Sequence, residues 1–196
     1  MELFPNLEIG FHYGWTLLGF LFLTQGILLL TFPKAVVARL FEYDRSKWSK
    51  KHRIYFVIGK SLALVCLILI IFTPLKTESN LFIPGIVTYA LGMAGFSTAL
   101  IDYKNTPLDR PVTQGIYRIT RHPQVFSLFI LTLGICMATG SWLVLFMLVL
   151  SALFNHSRNL EEEKACLERY GESYSNYMER VRRYFLFWWF KRAICL

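Results

Sequence analysis

The fold follows from one uncharged stretch, residues 125–154, which has the sequence VFSLFILTLGICMATGSWLVLFMLVLSALF. A membrane-spanning helix needs about 20 apolar residues, so this stretch is too long for one span and a little short for two full ones. Thr139, Gly140 and Ser141 interrupt it near the middle, and such residues are typical of a turn. We therefore expect two short membrane helices, at about 124–139 and 141–156, joined as a tight hairpin.

Three further apolar runs precede the hairpin, at about residues 11–32, 54–73 and 81–101. The third contains Gly85, Gly92 and Gly95, and small residues at such spacing allow helices to approach closely. The sequence therefore predicts an all-α fold: a multi-span membrane helical bundle of about five transmembrane helices with a C-terminal cytoplasmic helix. Residues 1–196 are expected to form a single membrane-embedded domain.

The composition agrees with a membrane protein. Of the 196 residues, 55% are hydrophobic and 17% are charged, whereas a soluble domain usually has about 25% charged residues. A chain this short buries too little surface to hide that apolar excess. The composition therefore argues against a soluble single domain and excludes a disordered or collagen-like chain.

Charge placement predicts the orientation in the membrane. The net charge of +8 comes from Lys and Arg in the loops after the first and third runs and in the tail, whereas the other connections carry few charges. The positive-inside rule explains this excess better than nucleic-acid binding does, and it places the N-terminus outside and the C-terminus in the cytoplasm. Residues 185–190, FLFWWF between basic residues, are predicted to form an interfacial anchor.

The charged tail, at about residues 158–192, is predicted to form cytoplasmic or interfacial helices. Three consecutive Glu at 161–163 suit the positive end of a helix dipole and are taken as a helix start. Gly171 is expected to end or bend that helix. Tyr174 and Tyr177, one turn apart, are expected to share a face.

Two polar clusters are candidates for a functional site. The first is residues 115–123, GIYRITRHP, before the hairpin, and the second is the Glu triplet at 161–163 after it. A hairpin would bring both to the same membrane face. Each cluster alone is better explained by topology-setting or solvated charges, but ionisable groups near membrane depth usually pair or serve a site.

The two clusters also carry a family resemblance. Residues 112–123 and 162–177 resemble the two signatures of the integral membrane methyltransferases related to isoprenylcysteine carboxyl methyltransferase and phospholipid N-methyltransferase, and the resemblance covers about residues 85–185. It implies a helical membrane protein that binds S-adenosylmethionine at the cytoplasmic face and methylates a lipid or lipophilic acceptor. The residues that it implies for cofactor binding are Tyr117, Arg121, His122, Pro123, Glu162 and Glu163. Those that it implies around them are Arg118, Tyr174 and Tyr177.

The chemistry of these side chains suits that cofactor. Arg binds a carboxylate bidentately, and Glu accepts hydrogen bonds from ribose hydroxyls or an ammonium. Because the sulfonium already activates the methyl group, catalysis needs mainly placement, and we name no general base.

Departures from the family pattern leave the acceptor open. Val125 stands where a Tyr is frequent, and Arg182 stands where a Pro is frequent. Gly92 and Gly95 are spaced more widely than the Gly-x-Gly of phospholipid N-methyltransferases. An isoprenylcysteine carboxylate, a phospholipid amine, and a small hydrophobic thiol or hydroxyl all remain possible acceptors.

Two functions other than methyl transfer remain open. The chain would be a non-catalytic scaffold or lipid-binding protein with remnant motifs, or a haem protein with His122 as an axial ligand. The cysteine spacings support neither a disulfide framework nor a zinc site. No nucleic-acid partner is expected.

Overall fold

The computed structural model describes residues 10, 12–41 and 48–184 of the chain. Its regular elements over these residues are helical, which confirms the predicted all-α class. The α-helices are α1 (Gly14–Leu30), α2 (Lys34–Phe41), α3 (Lys50–Phe72), α4 (Phe82–Lys104), α5 (Pro123–Thr139), α6 (Trp142–Tyr170) and α7 (Glu172–Arg180). A single 3-10 turn, Gly115–Arg118, lies between α4 and α5.

Several of these helices suit a membrane. Three of them, α3, α4 and α6, are long and apolar enough to cross one. Two more, α1 and α5, are apolar and 17 residues long, at the lower limit for a spanning helix. The protein is therefore a helical membrane protein, while the count of five spans and their orientation stay predictions.

Close contacts through glycine join α4 to α5. A Cβ added at Gly92 would lie 2.4 Å from the backbone nitrogen of Leu131, and one at Gly134 would lie 2.3 Å from that of Tyr89. Gly85 makes a similarly close approach to α5. The two backbones therefore touch, and the predicted close packing through the glycines of α4 is confirmed.

A second helix pair consists of α3 and α6. The Ser151 hydroxyl donates to the Gly59 carbonyl at 3.1 Å, and the Cys66 thiol faces the Val144 carbonyl at 3.7 Å. Both contacts bring the polar groups of one helix to the backbone of the other. The fully buried core of the molecule includes Ile70, Leu100, Leu131, Ile135 and Val144.

The predicted hairpin between α5 and α6 is confirmed. Gly140 has φ +64°, in the left-handed region that glycine adopts without strain. The Ser141 hydroxyl oxygen accepts a hydrogen bond from the Val144 backbone N–H at 3.3 Å and caps α6.

The predicted separate helix starting near 158 is wrong, whereas the predicted membrane boundary at 156 stays a prediction. α6 is one helix of 29 residues. It has an apolar half (142–154) and a polar half (155–170). With neither Pro nor Gly between 142 and 170, nothing interrupts the backbone where apolar residues give way to polar ones. The Glu triplet therefore lies within a helix and not at its start.

The tail beyond α6 follows the prediction through α7, but residues 181–184, which were predicted to be helical, are not. α6 ends at Gly171, with φ +55°, and α7 follows. Tyr174 and Tyr177 are buried side by side, with ring centroids 5.6 Å apart. The interfacial anchor predicted at 185–190, with the rest of the predicted tail to 192, lies outside the described residues. The sequence analysis missed α2 and the 3-10 turn, both in segments taken as loops.

Candidate cofactor site

A cavity of about 280 Å³ lies where the two helix pairs meet, beside the polar half of α6. Its walls come from the end of α4, from the loop that precedes α5, and from α6 and α7. Residues of α2 and Trp48 also contribute to the walls. Its volume is close to the lower limit of about 300 Å³ for small-molecule sites.

Most of the predicted site residues line this cavity. They are Tyr117, Arg121, His122, Glu162, Tyr174 and Tyr177. The other three predicted residues do not line it: Pro123 is buried in the first turn of α5, Arg118 is exposed, and Glu163 lies behind the wall. The two clusters therefore converge as the sequence predicts, but the members of the Glu pair have different positions.

Glu163 anchors the loop before α5. Its Oε1 accepts hydrogen bonds from His122 Nε2 at 3.0 Å and from Arg183 Nε at 2.9 Å, and its Oε2 accepts one from Arg183 Nη2 at 2.7 Å. Arg121 Nη1 lies 3.3 Å from the same Oε2. Glu163 is 3% exposed. One buried carboxylate therefore holds Arg121 and His122, the two basic side chains next to α5.

The electrostatic setting keeps this carboxylate ionised. Glu163 lies in the polar half of α6, beyond its apolar half. Burial alone would raise the pKa of its carboxyl, but hydrogen bonds from Arg183 and His122, together with the charge of Arg121, outweigh burial and hold the pKa at about 2. Glu163 is therefore a fixed negative charge at neutral pH.

The tyrosines around the cavity are donors, not bases. Burial raises the pKa of Tyr117 well above its ordinary value, and the charge of Glu162 adds to the effect. Burial also raises the pKa of Tyr174 and that of Tyr177. The phenols therefore keep their protons at neutral pH, and the Tyr177 hydroxyl donates to the Tyr117 carbonyl at 2.7 Å.

The cavity wall carries buried polar atoms without hydrogen-bond partners. They include Nε and Nη1 of Arg121, Nε of Arg39, and Oε2 of Glu162, which lies 3.7 Å from Nη2 of Arg158. Buried polar atoms are nearly always hydrogen-bonded, although the ion pair of Arg121 with Glu163 meets part of this need. These atoms are therefore where a ligand gains most by binding.

Comparison with protein families supports the resemblance that the sequence motifs indicate. Residues 79–173 match the family model described as phospholipid methyltransferase. This segment, just under half of the chain, is similar to that family. This confirms the resemblance stated above. No curated protein matches the chain, and no solved structure does.

The phospholipid methyltransferase segment supplies only part of the cavity. It contains Tyr117, Arg121, His122 and Glu162, whereas α2, Trp48 and most of α7 lie outside it. The cavity is therefore completed by parts of the chain that the family model does not include.

The sequence analysis missed several residues that shape the site. Asp102 Oδ2 accepts a hydrogen bond from the Ile116 backbone N–H at 2.8 Å, and Gly115, with φ +57°, packs so closely that a Cβ would overlap the same carboxylate. Arg183 lies within the stretch covered by the resemblance, but no role was predicted for it. Arg39 donates to the Tyr103 and Pro107 carbonyls, each at 3.0 Å. These contacts join distant parts of the chain, so no local spacing indicates them.

Proposed function

We propose that this protein transfers a methyl group from S-adenosylmethionine to a lipid or lipophilic acceptor, at the cytoplasmic side that the charge pattern predicts. The match to the phospholipid methyltransferase family indicates a membrane methyltransferase that acts on lipid-type substrates. One observation carries the finer proposal: Arg121 and Glu162, which have opposite charges, line the same cavity, and each has a buried polar atom that makes no hydrogen bond.

The residues present fit the cofactor. S-adenosylmethionine carries a carboxylate, an ammonium and ribose hydroxyls, and when bound it supplies a methyl group already activated by its sulfonium. The Arg121 guanidinium suits the carboxylate. Glu162 suits the ammonium or the ribose hydroxyls, and the protonated phenol of Tyr117, which accepts from Gln124, can still donate. A single cavity thus offers groups complementary to both charges of the ligand.

The protein contributes mainly by placement. Glu163 fixes the side chains of Arg121 and His122, so the residues that hold the donor are already oriented before binding, and such positioning contributes up to about 7–11 kcal/mol at best. Burial of the site also strengthens its electrostatic contacts by excluding water.

The cavity lining also includes large apolar and aromatic side chains. Leu40 of α2, Trp48 and Tyr103 are among them. These side chains suit the apolar part of a lipophilic acceptor better than they suit the charged donor. We therefore place the acceptor against α2 and the start of α3.

The test uses the full chain purified in detergent. We expect S-adenosylmethionine to raise the unfolding temperature, and Glu162→Gln to weaken its binding by about 10- to 100-fold, since a hydrogen bond to a charged group is worth about 1.5–3 kcal/mol. The matched control is Glu179→Gln, on the exposed surface of α7, which should bind like the wild type. A wild-type protein without binding would support the scaffold alternative and refute the proposal.

The acceptor is tested separately. Labelled methyl groups from S-adenosylmethionine are followed into a total lipid extract, and the product is identified by mass. Binding of the donor without transfer of label to any extract would refute the lipid acceptor while leaving the donor site intact.

A further inference from the structure

A short strap follows α7, residues 181–184, and runs beside the loop that carries Arg121 and His122. The Arg121 backbone N–H donates to the Arg182 carbonyl at 2.9 Å, and the Thr120 hydroxyl donates to the Arg183 carbonyl at 2.7 Å. The strap is therefore bonded directly to the loop.

The far end of the strap is bonded to α6. The Tyr184 hydroxyl accepts a hydrogen bond from Asn159 Nδ2 at 2.6 Å and lies 3.0 Å from His156 Nδ1. Both partners lie in the polar half of α6. The strap thus bridges the loop before α5 and the helix that supplies the Glu pair.

The Arg183 side chain completes the bridge. It binds the Glu163 carboxylate with two hydrogen bonds, from Nε at 2.9 Å and from Nη2 at 2.7 Å. The same carboxylate also holds His122 through Oε1 and Arg121 through Oε2. An Arg fork fixes the plane of a carboxylate, which a Lys ammonium does not. The orientation of Glu163 therefore depends on Arg183.

We propose that Arg183 is a positioning residue for the methyl-donor site: it fixes Glu163, which in turn orients Arg121 and His122, so that docking of the strap and filling of the cavity favour each other. The proposal rests on the proposed function. Arg183 lies beyond residue 173, where the family match ends.

Thermodynamic linkage makes the proposal measurable. If the donor binds more tightly when the strap is docked, the bound donor must stabilise the docked strap by the same factor. A purely structural Arg183 would affect folding but would not couple the strap to the ligand.

The experiment compares Arg183→Gln, Arg183→Lys and the control Arg180→Gln, an identical change on the exposed last turn of α7. Binding of S-adenosylmethionine to the full chain in detergent is measured together with hydrogen exchange at the Arg121 amide. We expect Arg183→Gln to weaken binding about tenfold or more, Arg183→Lys to recover part of the loss, and Arg180→Gln to behave like the wild type. In the wild type, the ligand should slow exchange at the Arg121 amide, and Arg183→Gln should remove that slowing.

The outcomes separate this proposal from the proposed function. Exchange at the Arg121 amide without ligand reports docking of the strap, and it should be faster in Arg183→Gln than in the wild type. Suppose that the wild type binds S-adenosylmethionine and that Arg183→Gln shows the same affinity and the same exchange rate at the Arg121 amide. That result overturns the strap proposal and leaves the proposed function standing. A wild type that does not bind refutes the function. If Arg183→Gln does not fold, the comparison uses Arg183→Lys, and wild-type values for both measurements there also overturn the proposal.

Discussion

Replacing Glu163 with Gln removes the one negative charge at the centre of the loop, strap and α6 contacts. Gln keeps the volume and one acceptor oxygen, but Arg121 and Arg183 would remain next to each other without their shared carboxylate. Arg121 is almost as inaccessible as Glu163, with 10% and 4% of their side-chain surfaces exposed. The substitution therefore leaves an uncompensated buried charge.

Two estimates of the cost agree. Breaking a buried ion pair by removing one partner costs about 3–5 kcal/mol. Independently, the fall in the pKa of Glu163 from 4.5 to about 2 corresponds to about 3 kcal/mol at about 1.4 kcal/mol per pKa unit. We expect Glu163→Gln to lower the free energy of unfolding by roughly 3 kcal/mol and to weaken S-adenosylmethionine binding, because Arg121 and His122 lose their common anchor.

The dependence of stability on pH tests the same reasoning. Because the pKa of Glu163 is lower in the folded state than in the unfolded state, its contribution is fully present above about pH 4.5 and is lost as the pH falls toward 2. Thermal unfolding in detergent between about pH 6 and 3 should therefore show a steeper loss of stability for the wild type than for Glu163→Gln. Parallel curves, or wild-type stability of the variant at neutral pH, would refute the role given to this carboxylate. Glu179→Gln should follow the wild type throughout.

Two further changes test the packing and the acceptor side. Gly134→Ala should lower the unfolding temperature by an amount equivalent to about 1–3 kcal/mol, because its Cβ would lie 2.3 Å from the Tyr89 nitrogen. The control Gly26→Ala should not lower it, because no atom lies within 4 Å of the added Cβ. Equal unfolding temperatures for the two variants would contradict the close α4–α5 contact. Arg39→Ala removes the hydrogen bond to the Tyr103 carbonyl and should free α2, so methyl-transfer kinetics should show a higher KM for the lipophilic acceptor while S-adenosylmethionine affinity changes little.

The parts of the site that the sequence predicts well depend on local signals. Gly140 ends α5 at the expected turn, and the resulting hairpin brings His122 to 3.0 Å from Glu163. Tyr174 and Tyr177 share a buried face because they are one helical turn apart. In each case, a short stretch of sequence contains the whole physical cause.

The different positions of Glu162 and Glu163 also have a simple cause. Consecutive residues on an α-helix point about 100° apart, so both cannot face one cavity in the same way. The resemblance implied the same role for both, but the structure places Glu162 at the cavity and Glu163 behind it. Recognising that 142–170 is one continuous helix would have predicted this difference.

The contacts made by Arg39, Asp102 and Arg183 could not be predicted in this way. Arg39 binds carbonyls more than 60 residues away in sequence, and Arg183 lies 20 residues from Glu163. Such contacts depend on how the helix pairs and the segments between them pack. Basic residues beside apolar runs are also common as topology signals, so their presence alone did not distinguish a structural role.

The division of the cavity between the family segment and the rest of the chain bears on how this protein selects its substrates. Arg121 and Glu162, to which we assign the donor, lie within residues 79–173, whereas Leu40 and Trp48, to which we assign the acceptor, lie outside that segment. If the proposed donor is common to different acceptors, its contacts constrain the family segment, while α2 and Trp48 are free to differ with the acceptor. We therefore expect substitutions at Leu40 and Trp48 to change which lipophilic molecules are methylated without changing the affinity for S-adenosylmethionine.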